Sequence, residues 1–227
     1  MATVVAIDGP AASGKSTVAR RVAKELGYLY VDSGAFYRAV AWTALGFRID
    51  GRDRGTIQRM LESMQVQLFV AEGCVRFTVD GVDPQPFLRT KEVTELASRL
   101  AVLSEVRARI NCWLRFCRTF GDLVVEGRDI GTVVFPNAAF KFYLDATPEE
   151  RARRRYAEKT EGAAGASLVD VEAALRHRDD TDSSRDVAPL SVASDAIVVD
   201  TTNLDVEGVV AILLAKIQGK RSGEKNG

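Results

Sequence analysis

Val4-Val5-Ala6-Ile7 is a short apolar run, and Gly9-Pro10-Ala11-Ala12-Ser13-Gly14-Lys15-Ser16 follows it after a single aspartate. The apolar run predicts a strand that is buried on both faces. From Lys15 onward, apolar residues recur every three or four positions, which predicts a helix that ends near Leu26. This part of the chain is therefore predicted to form a strand, a glycine-rich turn and a helix.

The turn fits the pattern G-x-x-x-x-G-K-[ST], which is typical of a loop that binds the phosphates of a nucleoside triphosphate. Its glycines let the backbone approach an anion, and its N–H groups and the helix N-terminus face that anion. In such a loop Lys15 reaches the β- and γ-phosphates and the Ser16 hydroxyl binds Mg²⁺. The predicted ATP-binding residues are Gly9, Pro10, Ala11, Ala12, Ser13, Gly14, Lys15, Ser16 and Thr17, with Mg²⁺ at Ser16.

Strands and helices alternate along the rest of the chain, which predicts an α/β fold with a parallel sheet covered on both faces. The further strands are predicted at 29–31, 123–125, 140–144 and 197–199. The further helices are predicted at 35–45, 93–100, 106–117, from Thr147 onward and at 206–217. One stretch differs, because 66–70 and 75–79 alternate apolar and polar residues around a turn at Gly73. We expect a small antiparallel insertion within Gly51–Phe87.

Composition narrows the class of protein. Of the 227 residues, 46% are apolar, so one large packed domain is expected. The 31 basic side chains are balanced by 31 acidic ones, so no general affinity for nucleic acid or acidic membranes is expected. No apolar run approaches the roughly 20 residues that span a bilayer, and we see no signal peptide. Three cysteines without a Cys-x-x-Cys pair argue against a disulfide framework or a zinc site. We expect a cytoplasmic location.

The phosphate loop alone leaves a GTPase, a motor ATPase and a kinase open. The Asn-Lys-x-Asp motif that a GTPase needs for guanine is absent, and only Leu123–Glu126 weakly imitates the acidic strand end of a motor ATPase. Arginines at candidate loops and helix starts favour a kinase, because phosphoryl transfer between two phosphorylated molecules needs fixed cations. They are Arg38, Arg128, Arg178 and Arg185, with Arg151, Arg153, Arg154 and Arg155 on the helix after Thr147.

Several segments of the chain resemble bacterial cytidylate kinase, in the order in which that family carries them. They are 9–17, 32–38, 89–93, 126–136, 178–180 and 187–190, and the resemblance extends from Thr3 to about Ile217. Asp-Ser-Gly-Ala-Phe-Tyr-Arg from Asp32 and Gly-Arg-Asp-Ile-Gly-Thr-Val-Val-Phe-Pro from Gly127 are specific to the family, whereas the phosphate loop is not. That loop reads Ala11-Ala12-Ser13 with Ser16 where other members often carry Gly-Ala and Gly, yet Ser16 keeps the expected magnesium hydroxyl.

The resemblance implies a nucleoside-monophosphate-kinase-like core with a parallel sheet flanked by helices. It also implies a small antiparallel insert in the monophosphate-binding region and a short lid. In one domain over 1–227, the core would comprise 1–34, 90–147 and 186–217, the monophosphate-binding region 35–89, the lid 148–185 and a frayed tail 218–227. Within the lid, the Gly/Ala-rich stretch 162–166 is predicted to be a loop tip.

The resemblance further implies ATP-dependent phosphorylation of CMP and dCMP to CDP and dCDP, with Mg²⁺ and with Lys15, Arg128 and Arg185 as catalytic residues. Carried over position by position, Arg38, Arg128 and Arg185 would hold the CMP phosphate; Ser98, Arg107 and Asp129 would contact cytosine; and Asp182 would contact the ribose with Arg178 beside it. Ser33 completes the implied CMP site. The partners would be small molecules only, with no nucleic acid and no membrane, and the enzyme would be a monomer.

Donors and acceptors explain a preference for cytosine. Arg107 can donate to cytosine O2 and N3, and Asp129 can accept from the 4-amino group. Uracil reverses N3 and the 4-position and would leave buried polar groups unpaired. Two alternatives stay open at this point: a kinase of the same architecture with another small acceptor, such as shikimate, dephospho-coenzyme A or a different nucleotide, and a non-catalytic nucleotide- or RNA-binding protein.

Overall fold

The computed structural model describes residues 2–160, 167–185 and 187–224, and within these ranges seven strands form one sheet. The strands are β1 (Val4–Asp8), β2 (Leu29–Asp32), β3 (Val66–Ala71), β4 (Cys74–Val79), β5 (Leu123–Gly127), β6 (Phe140–Asp145) and β7 (Ile197–Asp200). The helices are α1 (Lys15–Leu26), α2 (Ser33–Gly46), α3 (Arg54–Ser63), α4 (Lys91–Leu100), α5 (Ser104–Phe116), α6 (Pro148–Thr160), α7 (Leu168–Ser183) and α8 (Val206–Glu224).

Strand β1 lies near the centre of a sheet with the order β3-β4-β2-β5-β1-β6-β7. Six of these strands run parallel and β3 runs antiparallel to β4, with β1 paired to β5 on one side and to β6 on the other. All five residues of β1 and of β5 are buried, as the continuous apolar runs predict. The carboxyl ends of β1, β2 and β5 therefore meet at one edge of the sheet, where the phosphate loop begins.

The predicted antiparallel hairpin is confirmed, since β3 and β4 pair from Val66↔Val79 to Ala71↔Cys74. Glu72 and Gly73 make its turn with φ values of 52° and 69°, the left-handed conformation that short hairpin turns require. The hairpin also joins the main sheet, because β4 pairs in parallel with β2 at Tyr30↔Cys74. Sequence alternation predicts the hairpin itself but not which strand it lies beside.

Two helices were missed by the sequence analysis. Helix α3 lies inside the stretch predicted to be antiparallel, and the Asp53 side chain caps it by accepting from Gly55 N at 2.9 Å. Helix α7 lies in the predicted lid, and a capping box between Ser167 and Asp170 starts it. Both cap signals are visible in the sequence. Helix α7 buries only three side chains over 16 residues, so its apolar periodicity is weak, whereas α3 is a short helix with Ile57, Met60 and Leu61 buried at helical spacing.

The last helix corrects the predicted tail. Helix α8 continues to Glu224, so most of the segment predicted to fray from residue 218 is helical. No proline interrupts the sequence after Ile217, and the basic residues that follow are compatible with a helix C-terminus. Residues 225–227 and the predicted loop tip at 162–166 lie outside the described residues. The division into core, monophosphate-binding region and lid stays a prediction.

Two apolar cores pack on opposite faces of the sheet. Val4 and Ala6 of β1 face the larger core, which includes residues of α2, α3, α4 and α5, and Val5 and Ile7 face the core with α1 and α8. A third, small cluster joins Ala11 of the phosphate loop to side chains of α6 and α7. No helix in the described part of the chain has both the length and the apolar character needed to cross a membrane.

Candidate active site

The phosphate loop is held by backbone constraints that only glycine meets. Gly9 has a φ of 147°, and a Cβ there would lie 2.0 Å from the Leu144 carbonyl oxygen of β6. Gly14, with a φ of 87°, is the N-cap of α1. The two glycines allow the chain to leave β1, turn sharply against β6 and enter α1 with its first amides directed at the turn.

Lys15 is folded back into this loop. Its ammonium donates to the Pro10 carbonyl and to Ser13 Oγ, the latter at 3.2 Å, and the residue is 5% exposed. Burial lowers the pKa of Lys15, and the nearby guanidinium of Arg128 lowers it further. The lysine is thus a desolvated cation at the base of the loop.

A buried carboxylate lies opposite the start of α1. Glu126, at the end of β5, accepts from the Tyr30 hydroxyl at 2.6 Å and from the Ser16 hydroxyl. Burial raises the pKa of Glu126, and Asp32 raises it further. The arrangement places a serine hydroxyl and a buried carboxylate side by side at the mouth of the phosphate loop.

A cavity of about 780 Å³ extends from the phosphate loop to α4 and α5. Every residue predicted to bind CMP lines it: Ser33, Arg38, Ser98, Arg107, Arg128, Asp129, Arg178, Asp182 and Arg185. From the predicted ATP-binding set, Ala11, Ala12, Gly14, Lys15, Ser16 and Thr17 line it as well. Gly9, Pro10 and Ser13 of the same loop are buried and do not line the cavity.

Arginines from distant parts of the chain converge on this cavity. Arg38 donates to Asp32 at 2.8 Å, Arg128 donates to Asp182 at 2.9 Å, and Arg185 pairs with the same Asp182. Burial lowers the pKa of Arg185 to about 10, and Arg107 contributes to the lowering. The cluster is the constellation of fixed cations that the sequence predicts for a phosphorylated acceptor.

Arg178 differs from its neighbours. Among the described residues it has no ion-pair partner, and its Nε is buried without a hydrogen bond. Burial lowers the pKa of Arg178 to about 9, and the cations Arg128, Arg38 and Arg155 lower it further. Such a desolvated, uncompensated guanidinium favours an anion beside it.

At the far end of the cavity, Arg107 and Asp129 form a buried ion pair, with side chains 3% and 6% exposed. Arg107 also donates to the Ala101 carbonyl at 3.0 Å, which fixes the guanidinium on α5. Tyr37, which the sequence analysis did not assign, stacks 5.5 Å from Arg107 and lines the cavity with a buried hydroxyl that has no hydrogen bond. The sequence signal that could have identified Tyr37 is its position one residue before Arg38 on the same helix.

The lid arginines divide into different environments. Arg151 pairs with Asp179 and donates to the Ala11 carbonyl at 3.3 Å, while Asp179 accepts from the Ala11 amide at 3.3 Å. Arg154 binds the Thr201 carbonyl at 2.5 Å and Glu150 at 2.8 Å, and Arg153 faces solvent. Arg155 lines the cavity. The structure therefore places the four arginines in different environments, whereas the sequence did not show which of them face ATP.

Asp8 is a second residue that the sequence analysis passed over. It ends β1, directly before the phosphate loop, and its two oxygens accept from the amides of Ile130 and Gly131 at 2.8 and 2.7 Å. Burial raises the pKa of Asp8 to about 6, against the lowering effect of those two bonds. A polar residue at the carboxyl end of a buried parallel strand is the signal that marks this position.

A family model and relatives of similar sequence identify the same enzyme family. A family model described as cytidylate kinase matches residues 5–219. A cytidylate kinase of Oleidesulfovibrio alaskensis is 42% identical over 215 residues, covering 95% of this chain and 98% of the relative. One of Halalkalibacterium halodurans is 39% identical over 214 residues, covering 94% and 96%. A solved structure of an uncharacterized protein from Eubacterium ventriosum has a TM-score of 0.53 at 11% identity, covering 96% and 99%, which concerns the fold alone.

Proposed function

The chain belongs to the cytidylate kinase family, and from this membership we propose how its cavity holds the two substrates. The reaction is ATP-dependent phosphorylation of CMP and dCMP to CDP and dCDP. One observation supports the assignment of roles most strongly: guanidinium groups from α2, α7 and the two segments after β5 and α7 converge on a cavity that starts at the phosphate loop.

The acceptor phosphate lies among Arg38, Arg128 and Arg185. Two like charges about 4 Å apart repel by about 4 kcal/mol at an effective dielectric of 20, so bringing two polyanions together requires several cations. Ser33 is the first residue of α2 and is 5% exposed, and a helix N-terminus favours an anion. These groups fix the phosphate of CMP for attack on ATP.

The cytosine is recognised by Arg107 and Asp129, with Ser98 beside them. Their mutual pairing supports this role, because it holds a donor and an acceptor side by side before the base arrives. Arg107 donates to O2 and N3, and Asp129 accepts from the 4-amino group. At the sugar, Asp182 accepts from the ribose with the lone pairs that Arg128 and Arg185 leave free, and Arg178 lies nearby.

The donor side consists of the phosphate loop, with Lys15 directed to the β- and γ-phosphates of ATP. Mg²⁺ fits the residues present, because the Ser16 hydroxyl and the buried Glu126 offer adjacent oxygen ligands of the kind that this ion takes. The described residues contain no group of three or more His, Cys, Asp or Glu side chains that could hold a metal ion. Mg²⁺ commonly takes one or two protein ligands and completes its shell with substrate phosphates and water. When bound, Mg²⁺ neutralises charge on the β- and γ-phosphate oxygens.

Catalysis requires positioning and charge stabilisation rather than a general base. The acceptor is a phosphate oxygen, which is anionic and nucleophilic at pH 7, and the transfer follows an in-line path. Lys15, Arg128 and Arg185 stabilise the transferring group as catalytic residues. Arg155 is the lid arginine that faces the nucleotides, since it alone of the four in the described part of α6 lines the cavity. The lid excludes water and thereby limits ATP hydrolysis.

A coupled assay tests this proposal with ATP, Mg²⁺ and the acceptors CMP, dCMP, UMP, AMP, GMP and shikimate. We expect CMP and dCMP to be good acceptors. The kcat/KM for UMP should be lower than that for CMP by a factor of roughly 10 to 100 or more, because the donors and acceptors of uracil do not match those of Arg107 and Asp129. Equal use of UMP and CMP would show that the base assignment is wrong. Turnover of shikimate instead, or ATP binding without turnover of any acceptor, would favour the alternatives named above.

We also propose a monomer in a reducing, cytoplasmic compartment, with small molecules as its only partners. The cysteines Cys74, Cys112 and Cys117 are free, which supports the compartment. Sedimentation at micromolar protein concentration tests the oligomeric state, and a species of twice the mass of the chain would contradict it.

A further inference from the structure

Asp8 is a buried carboxylate that the roles proposed above do not use. It is 5% exposed, and its Oδ1 and Oδ2 accept from the amides of Ile130 and Gly131 at 2.8 and 2.7 Å. The bonds join the end of β1 to the loop after β5, two parts of the chain that carry the donor and acceptor sides of the site.

The two amides belong to the π-helical turn Ile130–Val134, whose first N–H groups have no partner within the turn. Asp129 precedes this turn and is of a residue type that normally caps a helix. Its side chain makes no such bond, however, and pairs instead with Arg107. Asp8 therefore supplies the acceptors from a neighbouring strand, and the Asp129 carboxylate is left for the base.

The position of Asp8 also limits movement between the two sides. Strand β1 is paired on both edges, and Gly9, the next residue, is held against Leu144. On the other side, a Cβ on Gly131 would lie 3.4 Å from Asp8 Oδ2, at ordinary contact distance, and 3.2 Å from Lys141 Cδ, so the turn lies directly against both side chains. One side chain thus connects the root of the phosphate loop to the turn that follows Arg128 and Asp129.

We propose that Asp8 is a positioning residue, which sets Arg128 and Asp129 at the correct place relative to the phosphate loop for CMP binding. The proposal rests on the proposed function, because the placement of these two residues matters only if they contact CMP. Asp8 touches neither substrate in this scheme. Burial raises its pKa to about 6, so keeping the carboxylate ionised carries an energetic cost that an asparagine would avoid.

The test is Asp8→Asn, which keeps the shape of the side chain and places an amide donor against one of the two backbone donors. We expect the KM for CMP to rise at least tenfold and the CMP-over-UMP preference to fall, while the KM for ATP stays within twofold. Asp122→Asn is a matched control, because Asp122 accepts from the Thr3 amide at 2.5 Å at the opposite end of β1 and does not line the cavity. The control should leave both KM values unchanged.

Each result of these measurements either supports or contradicts the proposed role of Asp8. An unchanged KM for CMP and an unchanged base preference in Asp8→Asn would overturn the inference, as would equal increases in both KM values, which would assign Asp8 to the phosphate loop alone. If the wild-type enzyme does not use CMP, the proposed function itself fails. If Asp8→Asn does not fold, Gly131→Ala replaces it, since the added Cβ would lie 3.2 Å from Lys141 Cδ and crowd the turn that Asp8 holds without changing Asp8 itself. A smaller loss of CMP affinity with the same selectivity is expected.

Discussion

At the scale of single residues, the site depends on how cations are kept close together. Arg38, Arg128 and Arg185 each have an aspartate partner, so most of their mutual repulsion is compensated within the protein. Arg178 has no such partner among the described residues, and its pKa is lowered first by burial and then by the neighbouring cations Arg128, Arg38 and Arg155.

Replacement of Arg128 tests the acceptor side at this scale. We expect Arg128→Ala to lower kcat/KM for CMP by roughly 10²- to 10³-fold, because a preorganised cation next to the transferring group is lost. Affinity for ATP should change little. Steady-state kinetics with both substrates varied, together with calorimetric ATP titration, measure the two effects.

The matched control is Arg109→Ala, since Arg109 is an exposed arginine of α5 that stacks 5.2 Å from Trp113 and does not line the cavity. It should retain wild-type kinetics. Loss of ATP binding in Arg128→Ala would instead assign Arg128 to the donor side.

The raised pKa of Asp8 predicts a dependence of stability on pH. Its pKa is about 6 in the folded protein against an ordinary 3.8, so between these values the folded state holds a proton that the unfolded state releases. The stabilisation is complete below pH 3.8 and is lost as the pH rises through 6, by up to about 3 kcal/mol. Asp129, Lys15 and Tyr143 are the other titratable groups that interact with Asp8.

Urea denaturation of the wild type and of Asp8→Asn at pH 4.5 and pH 7.5 measures this effect. The free energy of unfolding of the wild type should fall relative to that of the variant at the higher pH. A difference between the two proteins that does not depend on pH would contradict the raised pKa.

At the scale of elements, the site exists because three parallel strands end at the same edge. The phosphate loop follows β1, Ser33 begins α2 directly after β2, and Arg128 lies in the segment after β5. Ligands bind at this edge in open α/β sheets, since the loops there leave the sheet in different directions and open a crevice. Helices α6 and α7, which are predicted to form the lid, pack against Ala11 of the phosphate loop.

Removal of the contact between lid and phosphate loop tests the role of these two helices. Arg151 and Asp179 are both largely buried, and they bind the carbonyl and the amide of Ala11 respectively. In Arg151→Ala we expect kcat for CMP phosphorylation to fall and the fraction of ATP lost to water to rise, because the lid no longer closes firmly. The ratio of ADP to CDP formed is the measurement.

Arg153→Ala provides the comparison on the same helix, because Arg153 is solvent-facing and pairs only with Glu150 among its described neighbours. It should keep an ADP-to-CDP ratio of one. The same ratio in Arg151→Ala would show that this contact does not exclude water.

At the scale of the whole molecule, the monophosphate-binding region and the sheet share one core. Leu61 of α3 is 4% exposed and belongs to the same apolar cluster as Val125 of β5. We therefore expect Leu61→Ala to lower the free energy of unfolding of the entire protein by about 2–5 kcal/mol. Circular dichroism and tryptophan fluorescence should report one coincident transition.

Phe69→Ala is the control for this prediction, because Phe69 is 43% exposed on the neighbouring hairpin. It should change stability much less. Two separate transitions in Leu61→Ala would mean that the region unfolds independently of the sheet.

Much of the fold could be predicted locally, because strong apolar periodicity and caps act over a few residues. Helix α1 begins and ends at the predicted residues, and the hairpin at 66–79 was predicted from alternation alone. Helix α7 was missed because it buries few side chains along its length, and α3 was missed because it is short and directly precedes the alternating pattern of the hairpin. The attachment of β4 to β2 had no local signal, since it arises from one long-range pairing.

The sequence by itself determined the residue types on which the predicted chemistry depends: a phosphate loop, a set of arginines and, through the family resemblance, Arg107 and Asp129 as the predicted contacts to cytosine. Residue type decides which groups are cationic and which atoms donate or accept, and type is written in the sequence. Only the tertiary structure decided that Asp182 serves two arginines, that Arg155 rather than Arg153 lines the cavity, and that Asp8 supports the turn after Asp129. These relations join residues far apart along the chain, and they form only when parallel strands bring their carboxyl ends together.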